Sequence, residues 1–259
     1  MRLSTILSVS WEALLFLSKF EVNPARRDAR RLLSSPQAMH AAVEASFPSS
    51  DSPSGQMSRV LWRVDKGEHR PTLYVVSPEA PDFTHLVEQA GWPTQPRWGS
   101  VDYSSFLESL AAGQQWQFRL TANPVHHERQ PNGGRGKRYA HVTVRQQAWW
   151  LARRAASLGF AVTRPASDDG EVATGMDSLE EFDLDAVDFA VTDRQDASFK
   201  RRSRTVTIRR VQFDGVLAVT DADQFRSTLT RGVGPAKAYG CGLLTLAPLT
   251  AAAPEEKGR

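Results

Sequence analysis

Apolar and polar positions along the first half of the chain predict a strand, two helices, two strands, a helix and a strand. Segment 15–22, LFLSKFEV, has the aliphatic and aromatic content of a strand. Asn23 and Pro24 follow it and are typical of a helix start. The later elements are predicted as helices over 25–35 and 37–47, strands over 59–65 and 72–77, a helix over 82–91 and a weak strand over 100–106.

The same order of elements recurs in the second half. A strand over 116–124 again ends in Asn-Pro, and a basic, glycine-rich loop follows it as far as His141. The helix over 144–160 has apolar residues at 148, 151, 155 and 158, which is a helical period. Further elements are predicted as strands over 186–191 and 205–219, a helix to Arg231 and a strand over 243–249.

Two successive βαββαβ units predict an α+β fold of two tandem ferredoxin-like (RRM-like) domains. The first domain is predicted over 15–112 and the second over 113–250. Residues 1–14 are predicted to be an N-terminal extension whose removal leaves the fold intact, and residues 251–259 a disordered tail.

A glycine-rich segment, RGVGPAKAYGCGLLTL, covers residues 231–246 and carries Lys237 among its glycines. Nucleotide-binding glycine loops follow a strand and precede a helix. Here a predicted helix comes first and a strand follows, and no Ser or Thr succeeds Lys237 to hold magnesium. The order therefore excludes an ATP or NAD loop. A tight turn is favoured by the spacing alone, and a loop whose amides lie along a polyanion stays open.

Charge is unevenly distributed. The 259 residues carry a formal net charge of only +3, but the basic residues cluster over 25–31, 133–138, 152–154 and 199–204. Clusters of one sign favour a basic face for a polyanion such as RNA. Ordinary solvated charge is the alternative for any single cluster.

The single cysteine excludes a disulfide framework and a multi-cysteine zinc site. Cys241 lies inside the glycine-rich segment and is predicted to be a small buried residue. No apolar run reaches the length of a membrane span, and the first 20 residues lack a cleavage site of the signal-peptide type. These features predict a cytoplasmic protein with no membrane partner.

Several motifs in this order resemble the CasE family, the CRISPR repeat-processing endoribonuclease of the type I-E Cascade complex. They are LFLSKFEVNP, the Arg-rich helix, MHAAVEASFP, FRLTANP, FDGVL and GVGPAKAYGCGLLTLAPL, from about Leu15 to Leu249. The resemblance implies two ferredoxin-like domains and cleavage of precursor CRISPR RNA beside each repeat hairpin, with no metal or other cofactor. It also implies partners: the repeat RNA, retained after cleavage, and other Cascade subunits. The isolated protein is expected to be a monomer.

Metal-free RNA cleavage uses the 2′-hydroxyl of the RNA as nucleophile and needs a group that transfers protons. Histidine suits this role because its ordinary pKa, about 6.5, is near working pH. Among six histidines, the resemblance selects His40, seven residues before Phe47. Without the resemblance, a half-buried histidine at the edge of the core is the stronger interpretation. Many family members have a tyrosine at the position of Gln37, and glutamine cannot act as an acid, so Gln37 is assigned positioning only.

Adjacent His126 and His127 lack further ligands at metal spacing and are interpreted as solvated, not as a metal site.

The predicted RNA-binding residues lie on several elements. The basic segment FKRRSR lies between two predicted strands and is expected to extend from a hairpin that contacts RNA phosphates. The full set is Arg26, Arg27, Arg153, Arg154, Lys200, Arg201, Arg202, Arg204, Gly232, Gly234, Lys237, Gly240 and Gly242.

Two further interpretations stay open. One is a non-catalytic subunit of the same fold that binds RNA hairpins, which the glutamine at position 37 makes worth testing. The other is an unrelated enzyme acting on small molecules, which predicts weak RNA affinity with little dependence on salt.

Overall fold

The structure, a computed structural model, describes residues 14–47, 60–67, 69–93, 98–128, 136–162, 178–201 and 204–249. The predictions for residues 1–13 of the extension and for the tail 251–259 lie outside this range. Leu14 is the first described residue, and its side chain is exposed. Within the described residues, no helix is both long enough and apolar enough to span a membrane.

The first half folds into a four-stranded antiparallel sheet with helices. Its strands lie in the order β2-β3-β1-β4, so the first strand is central. The elements are β1 (Phe16–Glu21), α1 (Arg27–Ser34), α2 (Pro36–Glu44), β2 (Leu61–Asp65), β3 (Thr72–Ser77), α3 (Thr84–Ala90), β4 (Trp98–Asp102) and α4 (Ser104–Glu108).

The second half forms a five-stranded antiparallel sheet and a small hairpin. The order is β11-β5-β10-β8, with β9 paired to β10, and β6 pairs with β7 as the hairpin. The elements are β5 (Gln115–Ala122), β6 (Val125–Glu128), β7 (Lys137–Ala140), α5 (Val144–Ala155), β8 (Phe160–Ala161), β9 (Phe189–Arg201), β10 (Arg204–Val219), α6 (Ala222–Arg231) and β11 (Leu244–Ala247).

Most predicted elements are present, and the differences are shifted boundaries and a few additional short elements. The strand predicted over 100–106 ends at Asp102, because its carboxylate accepts a hydrogen bond from the Ser104 amide (2.8 Å) and starts α4. The helix predicted to residue 160 ends at Ala155, and a 3-10 turn leads to Gly159 in the left-handed region (φ 83°). Strands β6 and β7 occupy part of the segment predicted to be a loop.

The core consists of two apolar clusters. One lies between the first sheet and α1–α3, and it includes Phe20, Met39 and Trp62. The other fills the second half, but Leu15 and Leu61 of the first half belong to it as well. The two halves therefore share apolar packing and meet in a continuous seam.

A buried arginine crosses this seam. Arg63 on β2 is 1% exposed and donates from Nη1 to the carbonyl oxygens of Arg119 (2.8 Å) and Leu243 (3.0 Å). Its Nη2 donates to Oγ1 of Thr245 (2.8 Å), and its Nε and Nη2 form a two-point pair with Asp65. The guanidinium thus connects the edge strand of the first sheet with β5 and β11 of the second.

Candidate active site and RNA-binding surface

The position of the candidate catalytic histidine is determined by the local structure of α2. Ser35 begins this helix, and its hydroxyl accepts a hydrogen bond from the Ala38 amide (3.2 Å). Met39 and Val43 are buried one turn apart and fix which face of the helix meets the core. His40 follows Met39, so it lies at the edge of that face, with 28% of its side chain exposed.

His40 has two described neighbours. Its Nε2 lies 3.2 Å from Oε1 of Glu44, one turn along the helix. Its ring lies edge-on to the ring of Tyr239, with 6.0 Å between centroids and an interplanar angle of 69°. The pair with Glu44 engages one ring nitrogen, and 28% of the side chain is exposed, so part of the imidazole is open to solvent. Gln37 is exposed on the first turn of the same helix.

The aromatic contact brings three separate segments together. Tyr239 belongs to the glycine-rich segment, and its ring also contacts Phe199 of β9 at 4.7 Å between centroids. The Tyr239 ring thus contacts both His40 of α2 and Phe199 of the basic hairpin. No sequence pattern indicated these contacts, because the three residues are far apart in the chain and neither aromatic residue belongs to a catalytic motif.

The glycine-rich segment has the predicted order of helix, loop and strand. Helix α6 ends at Gly232 (φ 74°), a 3-10 turn covers Lys237–Tyr239, and β11 follows. All four glycines have φ between 72° and 94°, where other residues are strained. The segment is therefore a series of tight turns, as the glycine spacing favoured.

Two of these glycines are required because tryptophan rings lie against them. A Cβ atom on Gly240 would lie 2.6 Å from Cζ3 of Trp62, and one on Gly234 would lie 2.9 Å from the ring of Trp150. Gly232 similarly meets Leu61 of β2. The loop thus packs along the seam, since Leu61 and Trp62 belong to the first half. Phosphate contact by Gly232, Gly234, Lys237, Gly240 and Gly242 stays a prediction.

Alanine at Gly240 is expected to destabilise the protein by about 2–5 kcal/mol. The strain of positive φ contributes about 1–2 kcal/mol, and overpacking against Trp62 adds about 1–3 kcal/mol. Gly113 is the matched control, because its φ is 88° but nothing lies within 4 Å of its Cβ position. Gly113→Ala should be destabilised only by the strain of positive φ. Chemical denaturation of both variants measures the difference, and equal losses would contradict the packing of Gly240 on Trp62.

Cys241 is fully buried in this loop, as predicted. Burial raises the pKa of its thiol to about 12. A neutral thiol at this position packs as a small apolar group and does not act as a nucleophile.

The basic hairpin is longer than predicted. Strand β9 continues to Arg201, which pairs with Arg204 of β10. Lys200 is exposed near the end of β9, whereas Arg202 lies outside the described residues. Because Phe199 contacts Tyr239, this cationic end lies close to His40. The prediction of a basic hairpin is confirmed in its backbone, and its contact with RNA stays a prediction.

The two arginines of α5 differ in environment. Arg153 is exposed, with its guanidinium carbon 4.4 Å from the centroid of the Trp149 ring. Arg154 is half-buried over Trp150, and its Nη1 donates to the Trp150 carbonyl (2.8 Å). Burial and the neighbouring Arg153 lower the pKa of Arg154. Arg153 is therefore the more accessible of the two, and RNA contact by either residue stays a prediction.

The two arginines at the start of α1 also differ in environment. Arg26 is half-buried and donates from Nη1 to the carbonyls of Val87 (3.3 Å) and Gly91 (3.2 Å), where it stabilises the end of α3. Arg27 is exposed. The structure thus gives Arg26 a packing function that the sequence did not indicate, and RNA contact by either residue stays a prediction.

Sequence reasoning missed a cluster of rings beside α5. His141 is buried, and its ring lies 4.9 Å from that of His126 and 6.3 Å from that of Trp149. Burial, followed by the positive charges of His126, Arg154 and Arg153, lowers the pKa of His141 to about 4. His141 is therefore neutral at physiological pH. His126 and His127 are exposed, as expected.

The fold and the candidate site can be compared with those of known proteins, and the comparisons give the family of this chain. A family model described as CRISPR associated protein matches residues 15–248, and the chain belongs to this family. Within it, the chain is similar to the CRISPR-associated endoribonuclease Cse3 of Thermus thermophilus, with 31% identity over 236 residues, 90% of this chain and all of that protein. The assignment to the CasE family is thereby confirmed.

Two other comparisons agree. The Cascade subunit CasE of Escherichia coli is 28% identical over 190 residues, covering 68% of this chain and 81% of that protein. The structure of Thermus thermophilus Cse3 bound to an RNA representing a pre-cleavage complex superposes with a TM-score of 0.67 at 30% identity. That match covers 91% of this chain and all of the Cse3 chain.

Proposed function

We propose that this chain is the endoribonuclease that processes precursor CRISPR RNA, and that it cleaves without a metal ion by using His40. The similarity to Cse3, which is named an endoribonuclease and has been solved with RNA, supports the activity. The single structural observation that carries the assignment of the site is the position of His40. It is half-buried on α2, faces the glycine loop and lies near the end of the basic hairpin.

The fold supports two tandem ferredoxin-like domains, with the predicted boundary between residues 112 and 113. The first sheet has the order β2-β3-β1-β4. The second contains the corresponding order β9-β10-β5-β11, with β8 as an additional short strand on β10. In both halves the first strand of a βαββαβ unit lies between the third and the fourth, which is the arrangement of a split βαβ fold.

The proposed reaction is attack of an RNA 2′-hydroxyl on the adjacent phosphate. The hydroxyl oxygen forms a bond to phosphorus and loses its proton, and the bond to the departing 5′-oxygen breaks as that oxygen gains a proton. The His40 side chain is partly exposed, and its imidazole moves a proton in this step. The cations at the hairpin end stabilise the charge on the phosphate. Gln37, exposed on the same helix, has a positioning function only.

RNA binding is proposed to extend from the hairpin to α5. Lys200 and Arg153 are exposed and suited to phosphate contact. After cleavage the protein is proposed to retain the mature RNA and to join other Cascade subunits, as the name of the Escherichia coli relative indicates for that protein. A cytoplasmic, monomeric isolated protein stays a prediction.

Incubation with a cognate repeat hairpin in EDTA tests the function. We expect one cut beside the hairpin, giving a 2′,3′-cyclic phosphate or its opened form, because the 2′-hydroxyl is the nucleophile. A 2′-deoxy substitution at the scissile nucleotide is the control and should prevent the cut while preserving binding. Salt-dependent binding without cleavage would favour the non-catalytic RNA-binding subunit. Weak, salt-independent binding would contradict both interpretations.

A further inference from the structure

The 3-10 turn of the glycine loop has a backbone that fixes the position of Tyr239. It begins after Ala236, which has φ 63° and is the only described residue other than glycine with positive φ. It ends at Gly240, which has φ 76°. A left-handed alanine costs about 1–2 kcal/mol, and such strain persists where the surrounding structure enforces it. The Tyr239 amide closes the turn by donating to the Ala236 carbonyl (2.9 Å).

The ring of Tyr239 packs against two other rings. Phe199 of the basic hairpin packs at 4.7 Å and His40 at 6.0 Å, measured between ring centroids. Tyr239 is only 8% exposed. The next residue, Gly240, lies against Trp62 with no room for a side chain. Tyr239 therefore has little freedom to move away from the imidazole.

The other described contact of His40 is less constraining. Glu44 is 66% exposed, so its pair with His40 is screened by solvent and contributes little energy. A proton acceptor must be oriented closely, because a misplacement of about 1 Å can reduce a rate roughly 100-fold. Of the two contacts, the packing against the Tyr239 ring is the one that can provide that orientation.

We propose that Tyr239 is a positioning residue: its ring holds the imidazole of His40 in the orientation that cleavage requires. Because Phe199 of the basic hairpin packs on the same ring, Tyr239 also links the hairpin to His40. This inference rests on the proposed function of His40. The hydroxyl of Tyr239 is not needed for the effect, which is a property of the aromatic ring.

Single-turnover cleavage at saturating enzyme tests the proposal, because it reports the chemical step rather than RNA binding. Tyr239→Leu is expected to slow this step at least ~10-fold. Tyr239→Phe, which keeps the ring, should retain the rate within about twofold. Affinity for a repeat with a 2′-deoxy scissile nucleotide should change by less than about threefold in both variants, which shows that they fold. Phe199→Leu should give a smaller loss in the same direction, and it does not alter the glycine loop.

A double-mutant cycle distinguishes positioning from a general structural effect. Once His40 is alanine, the additional change Tyr239→Leu should not slow the residual reaction further. Three results would each overturn the proposal: full activity of Tyr239→Leu, equal losses in the leucine and phenylalanine variants, or a loss that persists when His40 is absent. If His40→Ala itself cleaves like the wild type, the assignment of His40 is wrong and the proposed function must be revised first.

Discussion

Replacing His40 with alanine is expected to slow single-turnover cleavage about 10²–10⁴-fold, the range that general acid–base groups contribute. Hairpin affinity should stay within about threefold of the wild type, because the cations of the hairpin and α5 are unchanged. The large effect on the cleavage rate is expected because the imidazole lies at the edge of the α2 face that meets the core. It is 28% exposed, so it is held by neighbours and still accessible to RNA.

The matched control is His69→Ala. His69 is exposed in the loop between β2 and β3, and its removal should leave the cleavage rate unchanged. Rates and affinities are measured on the same preparations, with the 2′-deoxy repeat as the binding probe. An alanine variant at position 40 that cleaves at the wild-type rate would remove His40 from the mechanism.

The second large effect is expected on stability. Arg63→Ala should lower the free energy of unfolding by about 3–5 kcal/mol, as for one partner removed from a buried ion pair. The change leaves Asp65 without its two-point partner and two seam carbonyls without their donor. Arg63→Lys should rescue little of the loss, because one ammonium cannot replace the fork of the guanidinium.

Arg70→Ala is the control for this prediction. Arg70 is 56% exposed and lies 4.0 Å from Glu21, so its removal should cost less than about 1 kcal/mol. Urea denaturation of the three variants measures these differences. A loss at Arg63 no larger than that at Arg70 would show that the seam is held by apolar packing alone.

The sequence predicts best what is determined locally. The apolar positions of α2 identify Met39 and Val43 as buried and thereby place His40 at the edge of the core. The acidic start and glycine end of α6 likewise predict its boundaries, since capping depends on a few neighbouring residues. Each of these features follows from residues within one or two turns.

What the sequence does not predict depends on contacts between distant segments. Arg63 is the clearest case: it occupies a strand whose pattern suggests an ordinary β residue, and its acceptors on Arg119 and Leu243 are brought to it only by folding. The contact between Tyr239 and His40 has the same origin. Arg26 differs from its prediction for the same reason. The basic cluster predicted an RNA contact, but folding brings this guanidinium to the carbonyl oxygens at the end of α3.

The position of β11 has a consequence for synthesis of the protein. The ribosome makes α2 and its histidine early, but it makes Tyr239 and the β11 acceptor of Arg63, Thr245, about 200 residues later. At about 5–20 residues per second this interval lasts roughly 10–40 s. During that time the nascent first half lacks the β11 part of its seam and the aromatic neighbour of its histidine. In the growing chain, His40 therefore lacks its contact with Tyr239 until the glycine-rich segment has left the ribosome.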